Sequence, residues 1–511
     1  MYTGNGHEER SESMKNVRDV KDLNDLKDNN VIKEKHNVIR DKNLSRSEKN
    51  KINNRFATIT YVYLFIFLAM TAYLCYFLGF KSESFINNPY NPRINNLSDS
   101  VIRGDIKSSD GNVLATTVQN KDGTLQRSYP YGEEFCHSVG YAVNGMTGLE
   151  LENNFDLLRS HSYVVDRVQN ELSGKKSQGD TIVSTLDTNI QKACFDAITT
   201  EKGAAIVIEP DTGKILAEVS KPSFDPNTAS QNWKSISSSN DAQLLNRVLQ
   251  GKYPPGSTFK IATVLSYLHS GGELTDRFDC NGEFTKGGYT VHCANNESHG
   301  NQDVTQAFSN SCNIAFSQIG LKCDITDFDT ITDQLLFNKT LPGKFSNKAK
   351  SSFKLSKDDD EPMVMATSFG QGKTTVSPYH MALIASAIAN NGELMVPYDV
   401  DHIESKDGDM VSSNSPKKYK SLMTADDAET LKTLMRKVVT DGTAKSAFKD
   451  PSYTAYGKTG TAEFNSKGDT HSWFVGFADN GEKTVCLCVL LEDTSSHAYT
   501  AASKIFSACF K

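Results

Sequence analysis

The 511-residue sequence predicts an α+β domain over residues 179–511, on three observations. Residues 203–209 and 215–219 are short apolar runs joined by the turn Asp211-Thr212-Gly213-Lys214, which reads as a β-hairpin. Helical periodicity then dominates the middle, after Ser257, across 303–321 and over 378–390. Strand-like runs return at 453–463, 472–478 and 484–491. A hairpin, a helical middle and closing strands segregate the two kinds of element, as α+β domains do.

The chain begins with a tail. Residues 1–55 carry 13 Lys+Arg against 10 Asp+Glu, a net +3, which leaves −10 for the remainder and puts the basic part at the front. This tail is polar, lacks a sustained apolar face and reads as disordered. The overall charge of −7 argues against nucleic acid as the main partner.

Residues 56–80 contain no charge and are dominated by Tyr, Phe, Leu, Ile and Ala. About 25 residues make roughly 37 Å of helix, enough to cross a hydrocarbon core of roughly 30 Å. The span follows a long tail and ends in aromatics, so it is expected to stay as an anchor and not to be removed as a signal peptide. Arg46, Lys49, Lys51 and Arg55 precede it and Lys81 follows, which predicts a cytoplasmic N-terminus and an extracytoplasmic remainder. Residues 81–178 hold short strand-like pieces around Ile102-Arg103-Gly104-Asp105-Ile106, Gly111-Asn112-Val113 and Gly145-Met146-Thr147-Gly148-Leu149-Glu150. No nucleophile or acid–base pair stands out there, and a spacer or pedestal is expected.

In the helical middle, Tyr253-Pro254-Pro255-Gly256-Ser257-Thr258-Phe259-Lys260 stops any earlier element and opens a helix that runs to Gly271-Gly272. Positions three apart share a helix face, so Ser257 and Lys260 pair a nucleophile with a base. The same spacing at Ser173/Lys176, Ser351/Lys354 and Ser415/Lys418 lies in polar stretches, whereas the apolar run behind Ser257 predicts a desolvated Lys260. Ser311-Cys312-Asn313 follows immediately before a helix, and Lys458-Thr459-Gly460-Thr461 lies in a strand. Ser-x-Asn recurs at Ser238/Asn240 and Ser412/Asn414, while Lys-Thr-Gly occurs once, so the ordered triple outweighs its members.

Other motifs carry less. Gly370-Gln371-Gly372-Lys373-Thr374 fails the phosphate-loop pattern, because the first glycine would fall at Thr367, and reads as a tight turn. The polar stretch 339–362 reads as an exposed insertion. Ten cysteines include no CxxC pair and no His-containing cluster with zinc spacing, so no metal or other cofactor is expected. Cys486 and Cys488 should face one side of a strand and pack in the core. Cys280 and Cys293 flank the glycines of a hairpin outside the cell, where either a disulfide or two thiols fits them.

The triple, with Gly370-Gln371-Gly372, Lys458-Thr459-Gly460-Thr461-Ala462-Glu463, Arg103-Gly104-Asp105-Ile106 and the single anchor, resembles the class B penicillin-binding proteins over about residues 56–511. The resemblance implies an antiparallel sheet with helices on both sides, preceded by a small strand-rich pedestal and one transmembrane helix. It implies a serine D,D-transpeptidase that cross-links peptidoglycan stem peptides and is acylated by β-lactams, with D,D-carboxypeptidase side activity available to it. Ser257 would attack the penultimate D-alanine, Lys260 would take its proton, Ser311 would relay a proton and Asn313 would hydrogen-bond Lys260 or the substrate amide. Lys458 and Thr459, with Gly460 and Thr461 beside them on the strand, would bind the substrate, and the N–H groups of Ser257 and Thr461 would form the oxyanion hole. A membrane glycan polymerase of the shape, elongation, division and sporulation family is the implied partner. No segment resembles the glycosyltransferase domain of the class A enzymes. Two alternatives share the triple: a serine β-lactamase, against which stands the lack of a Glu-x-x-Leu-Asn segment between Asn313 and Lys458, and a membrane-anchored β-lactam sensor, against which stands the single span.

Overall fold

A computed structural model describes residues 45–81, 101–450, 452–465 and 467–511 in two compact units divided near residue 85. The tail expected over 1–55 lies outside the described residues up to position 44, as do 82–100 of the pedestal.

In the first unit the helix α1 (Arg46–Tyr76) continues into a π-helical turn, Phe77–Lys81. Its start lies ten residues before the predicted apolar run, because Ser45 and Glu48 form a reciprocal capping box that satisfies the first free N–H groups. The 31 residues make about 46 Å of helix. Its most apolar window reaches a mean hydropathy of 1.8, and it is the one helix among the described residues long and apolar enough to cross a membrane.

The second unit is organised on two sheets. One has six short strands, in the order Met410–Ser413, Val400–Glu404, Thr181–Ser184, Ile106–Lys107, Val113–Gln119, Leu125–Ser128. Thr181–Ser184 pairs in parallel with Ile106–Lys107 and antiparallel with Val400–Glu404, so one sheet joins strands from both sides of the boundary expected at 178/179. Beside it Glu150 is fully buried between Arg103 (2.5 Å) and Arg127 (2.7 Å). Burial alone would raise this carboxyl, but the two guanidiniums outweigh it and hold it below the usual range.

The other sheet has five longer strands, β1 (Gly203–Ile208), β2 (Ile215–Lys221), β3 (Thr454–Glu463), β4 (Thr470–Asp479) and β5 (Thr484–Leu491), all antiparallel in the order β3-β4-β5-β1-β2. Both faces are covered, which is why β1 and β5 are continuous apolar runs with little polar alternation. Ala205, Val207, Leu487 and Val489 pack with the helices Thr188–Ala197 and Ala498–Cys509. Ala204, Ile206, Cys486 and Cys488 pack on the other side, where the helix Pro378–Ala389 lies, so the two cysteines share a face as expected. Each fully buried Val, Leu or Ile side chain contributes about 1.5–3 kcal/mol.

The stretch 339–362 is not an exposed insertion. Leu341, Phe345, Phe353 and Leu355 are buried between its polar residues. Phe353 stacks on Phe259 at 5.8 Å and on Phe328 at 6.1 Å, so the segment packs directly behind the Ser257 turn. Four apolar side chains without helix or strand periodicity leave no pattern to read, yet they suffice to bury a loop.

Candidate active site

The Ser257 turn is a 3-10 segment, Gly256–Phe259, that leads into the helix α2 (Lys260–His269). Prolines 254 and 255 fix the approach, and Phe259, Ile261, Val264 and Leu265 bury the helix. Gly256 has φ +51°, and a Cβ there would lie 2.5 Å from the Thr461 carbonyl oxygen. Only glycine lets the turn lie this close to β3. Gly256 N–H donates to the Gly370 carbonyl at 3.0 Å, and a Cβ on Gly370 would lie 1.8 Å from the Gly256 carbonyl oxygen. The Gly370-Gln371-Gly372 turn is therefore a backbone rest for the Ser257 turn. Trp473 Nε1 (3.1 Å to the Pro254 carbonyl) and Thr263 Oγ1 (2.7 Å to the Ser368 carbonyl) complete the seat.

Lys260 is fully buried on the next turn of backbone. Its amine donates to the Ser311 carbonyl (2.6 Å), Asn313 Oδ1 (2.9 Å) and Ser311 Oγ (3.4 Å). It also lies 5.1 Å from the Phe316 ring centre. Burial removes water from the ammonium and pushes its pKa down to about 7, and the neighbouring Cys312 and Cys293 only partly oppose this. The apolar run behind Ser257 thus has the effect expected from the sequence.

Ser311, Cys312 and Asn313 form the turn into helix α3 (Asn313–Lys322). Ser311 adopts φ +56°, a left-handed conformation that costs a non-glycine residue of order 1 kcal/mol. That conformation lets one residue present both its carbonyl and its hydroxyl to Lys260. Cys312 caps the helix through its sulfur, which accepts the Ala315 N–H at 3.3 Å, and Asn313 Nδ2 donates to the His292 carbonyl at 3.2 Å.

From β3, Lys458 is fully buried and donates to Ser311 Oγ at 2.9 Å. Its pKa is pushed down first by burial and then by the charge of Lys260. Two amines thus converge on one hydroxyl. Alternation along β3 turns Thr459 and Thr461 to the opposite, more exposed side from Lys458, Gly460 and Ala462. β3 is also an edge strand, with one side free of sheet partners among the described residues. Hydrogen bonds thus join Lys260, Ser311, Asn313 and Lys458, and the Ser257 turn is seated against β3 at Thr461.

Other residues there were not legible. Thr443 Oγ1 lies 2.6 Å from Thr459 Oγ1 and its N–H donates to the Ser309 carbonyl at 3.2 Å. It sits in a turn after the helix Ala425–Thr440, where Asp-Gly-Thr signals only a turn. Cys280 and Cys293 form no disulfide, since their sulfurs are 3.7 Å apart. They meet a third sulfur, Cys312, at 3.6 Å from Cys293, and His299 Nδ1 at 3.4 Å from Cys280.

Known proteins are similar to this chain in sequence and fold. Residues 203–511 match the family model described as the penicillin binding protein transpeptidase domain, and residues 103–182 match the penicillin binding protein A dimerisation domain. The chain is 27% identical over 448 residues to the peptidoglycan D,D-transpeptidase PbpA of Mycolicibacterium smegmatis, across 81% of this chain and 88% of that one. It is 28% identical over 423 residues to penicillin-binding protein 3 of Bacillus subtilis, across 74% of this chain and 61% of that one. Among solved structures, the imipenem acyl-enzyme complex of penicillin-binding protein A from M. tuberculosis superposes with a TM-score of 0.72 at 26% identity, covering 81% of this chain and 99% of that one. The D,D-transpeptidase domain of a peptidoglycan glycosyltransferase from Eggerthella lenta gives a TM-score of 0.72 at 29% identity, covering 80% and 98%.

Proposed function

The chain belongs to the penicillin-binding protein transpeptidase family, and on that premise we propose that it is a serine peptidoglycan D,D-transpeptidase with Ser257 as its nucleophile. One observation carries the assignment of roles: a buried amine with its pKa near 7 sits one turn from Ser257, fixed by Ser311 and Asn313.

Lys260, as the neutral amine, takes the Ser257 proton while Oγ bonds to the carbonyl carbon of the penultimate D-alanine. The oxyanion is held by the N–H groups of Ser257 and Thr461, where Gly256 permits the close approach of turn and strand. Each such donor contributes roughly 3–4 kcal/mol in the transition state. The C–N bond to the terminal D-alanine then breaks, and the leaving amine takes a proton through Ser311, which both lysines contact. An amine from a second stem peptide attacks the ester, gives its extra proton to Lys260, and Ser257 leaves as the hydroxyl. The Thr459 and Thr461 hydroxyls receive the substrate carboxylate, with Lys458 behind them supplying positive potential. The free edge of β3 takes the extended peptide as an added strand. In a β-lactam the leaving nitrogen stays tethered, so the ester persists.

The basic residues Arg46, Lys49, Lys51 and Arg55 in the first turns of α1, ahead of its uncharged run, orient it with the N-terminus in the cytoplasm and residues 101–511 outside. Cross-linking acts on newly made glycan, and a membrane glycan polymerase is the partner this reading calls for. The deciding experiment follows the mass of the Ser257 peptide after incubation with labelled penicillin. A persistent adduct supports this reading, and cross-linking of stem peptides separates it from a sensor. Rapid turnover would assign a β-lactamase, and no adduct at Ser257 would refute the nucleophile.

A further inference from the structure

Cys280, Cys293, Cys312 and His299 bring four soft donor atoms within 4.8 Å of one another. Three of the four are buried, and His299 is nearly so, with 14% of its side chain exposed. They arrive from four places: Cys280 ends the strand Arg277–Cys280, Cys293 follows the strand Tyr289–His292, His299 lies in the loop beyond, and Cys312 is the middle residue of the Ser311 turn.

The separations fit one ion. Zinc–sulfur bonds of about 2.3 Å and zinc–nitrogen bonds of about 2.0–2.1 Å put sulfurs about 3.8 Å apart and sulfur and nitrogen about 3.5 Å apart at the corners of a tetrahedron. Two of the three sulfur pairs lie at 3.7 and 3.6 Å, Cys280 Sγ lies 3.4 Å from His299 Nδ1, and the remaining pairs lie within 4.8 Å. A surrounding shell is also present. Backbone N–H groups point at two of the sulfurs, from His299 to Cys280 (3.5 Å) and from Ala315 to Cys312 (3.3 Å). The second nitrogen of His299 lies 3.7 Å from a Glu297 carboxylate oxygen, on the side where outer partners of ligating histidines are found.

We propose that these residues form a Cys3His zinc site that clamps the Ser311–Asn313 turn to the hairpin beside it. Closed four-coordinate sites of this composition are structural, and their binding energy stabilises the fold. Here the energy is applied next to Ser311, whose left-handed backbone would otherwise relax, and next to Asn313, which already leans on the His292 carbonyl. The clamp keeps the acceptors of Lys260 in place without touching substrate. Binding releases the three thiol protons and oxidises nothing. The proposal departs from the expectation of no metal, which rested on sequence spacing, because the fold brings together ligands that form no CxxC pair.

Full-length protein in detergent, purified with reductant and dialysed against metal-free buffer, is expected to retain about one zinc per chain by elemental mass spectrometry. Replacement by cobalt is expected to give thiolate charge-transfer bands and the intense visible bands of a tetrahedral site. These bands read ligation in the unmutated chain, which matters because Cys312→Ser can simply fail to fold. His299→Ala should weaken metal retention against a chelator by more than the about 10–100-fold typical of losing an outer-shell partner. Chelation should slow acylation by labelled penicillin and lower Tm, and added zinc should restore both. Absence of stoichiometric metal and of cobalt bands, or an intact mass lower by the two hydrogens of a Cys280–Cys293 disulfide, would overturn the site. Stoichiometric zinc whose removal leaves the acylation rate unchanged would overturn its role in the turn. The metal readouts do not depend on the transpeptidase reading, so a failure of one is separable from a failure of the other.

Discussion

Replacing Lys260 by Arg isolates the base from the charge. An ordinary lysine, with its pKa near 10.4, is neutral in only about one molecule in 2,500 at pH 7. Burial brings Lys260 to about 7, which makes roughly half of it available as a base. Arginine remains protonated in any environment a protein offers, so the variant keeps the cation and loses the acceptor. The pocket suits a cation's hydrogen bonds, because the Ser311 carbonyl, Ser311 Oγ and Asn313 Oδ1 all face the amine. The extra bulk of a guanidinium disturbs the turn but leaves the sheet and its helices in place. Loss of a general base costs about 10²–10⁴-fold in rate. Stopped-flow acylation with a fluorescent penicillin should therefore fall by at least two orders of magnitude, while far-UV circular dichroism stays unchanged. In the wild type the acylation rate should rise tenfold per pH unit below about 7 and level off above it, since the depressed pKa makes the neutral amine the form gained as pH rises. A folded Arg variant acylated within tenfold of wild type, or a wild-type profile still rising beyond pH 9, would refute Lys260 as the base.

Three further outcomes test the frame around it. Gly370→Ala drives a Cβ into the Gly256 carbonyl at 1.8 Å with φ +86°, so acylation should fall more than tenfold and urea unfolding should show a loss of about 2–4 kcal/mol; a fully active variant would mean that the turn at 370–372 does not support Ser257. Glu150→Ala strands Arg103 and Arg127 without their shared anion, and chemical denaturation should register about 3–5 kcal/mol of destabilisation; a change below about 1 kcal/mol would show the triad to be solvated. Thr443→Val removes the 2.6 Å hydrogen bond to Thr459 and should weaken substrate-analogue capture by about 1 kcal/mol, or roughly fivefold, with the maximal acylation rate kept; an effect on the maximal rate alone would move Thr443 from binding to the chemical step.

The sequence by itself determined the local and the ordered features. An uncharged run long enough to cross a bilayer, apolar runs for β1 and β5, and a proline-glycine stop before an apolar helix are each set by neighbours along the chain, which is why α1, the hairpin and α2 were legible. Three motifs in a fixed order carried the resemblance to the family, and the structure joins Lys260, Ser311, Asn313 and Lys458 by hydrogen bonds while the Ser257 turn rests against β3, the strand that carries Thr459, Gly460 and Thr461. Tertiary structure alone decided the rest. The burial of Phe353 behind Phe259, the rest that Gly370 provides for Gly256, the bond between Thr443 and Thr459, and the meeting of Cys280, Cys293, His299 and Cys312 all join residues with no periodic relation. Sequence periodicity records which face of an element is buried, whereas packing across elements depends on distances that only the folded chain sets. The desolvation of Lys260 lies between the two: the apolar helix predicted it, and the protein around the amine made it complete.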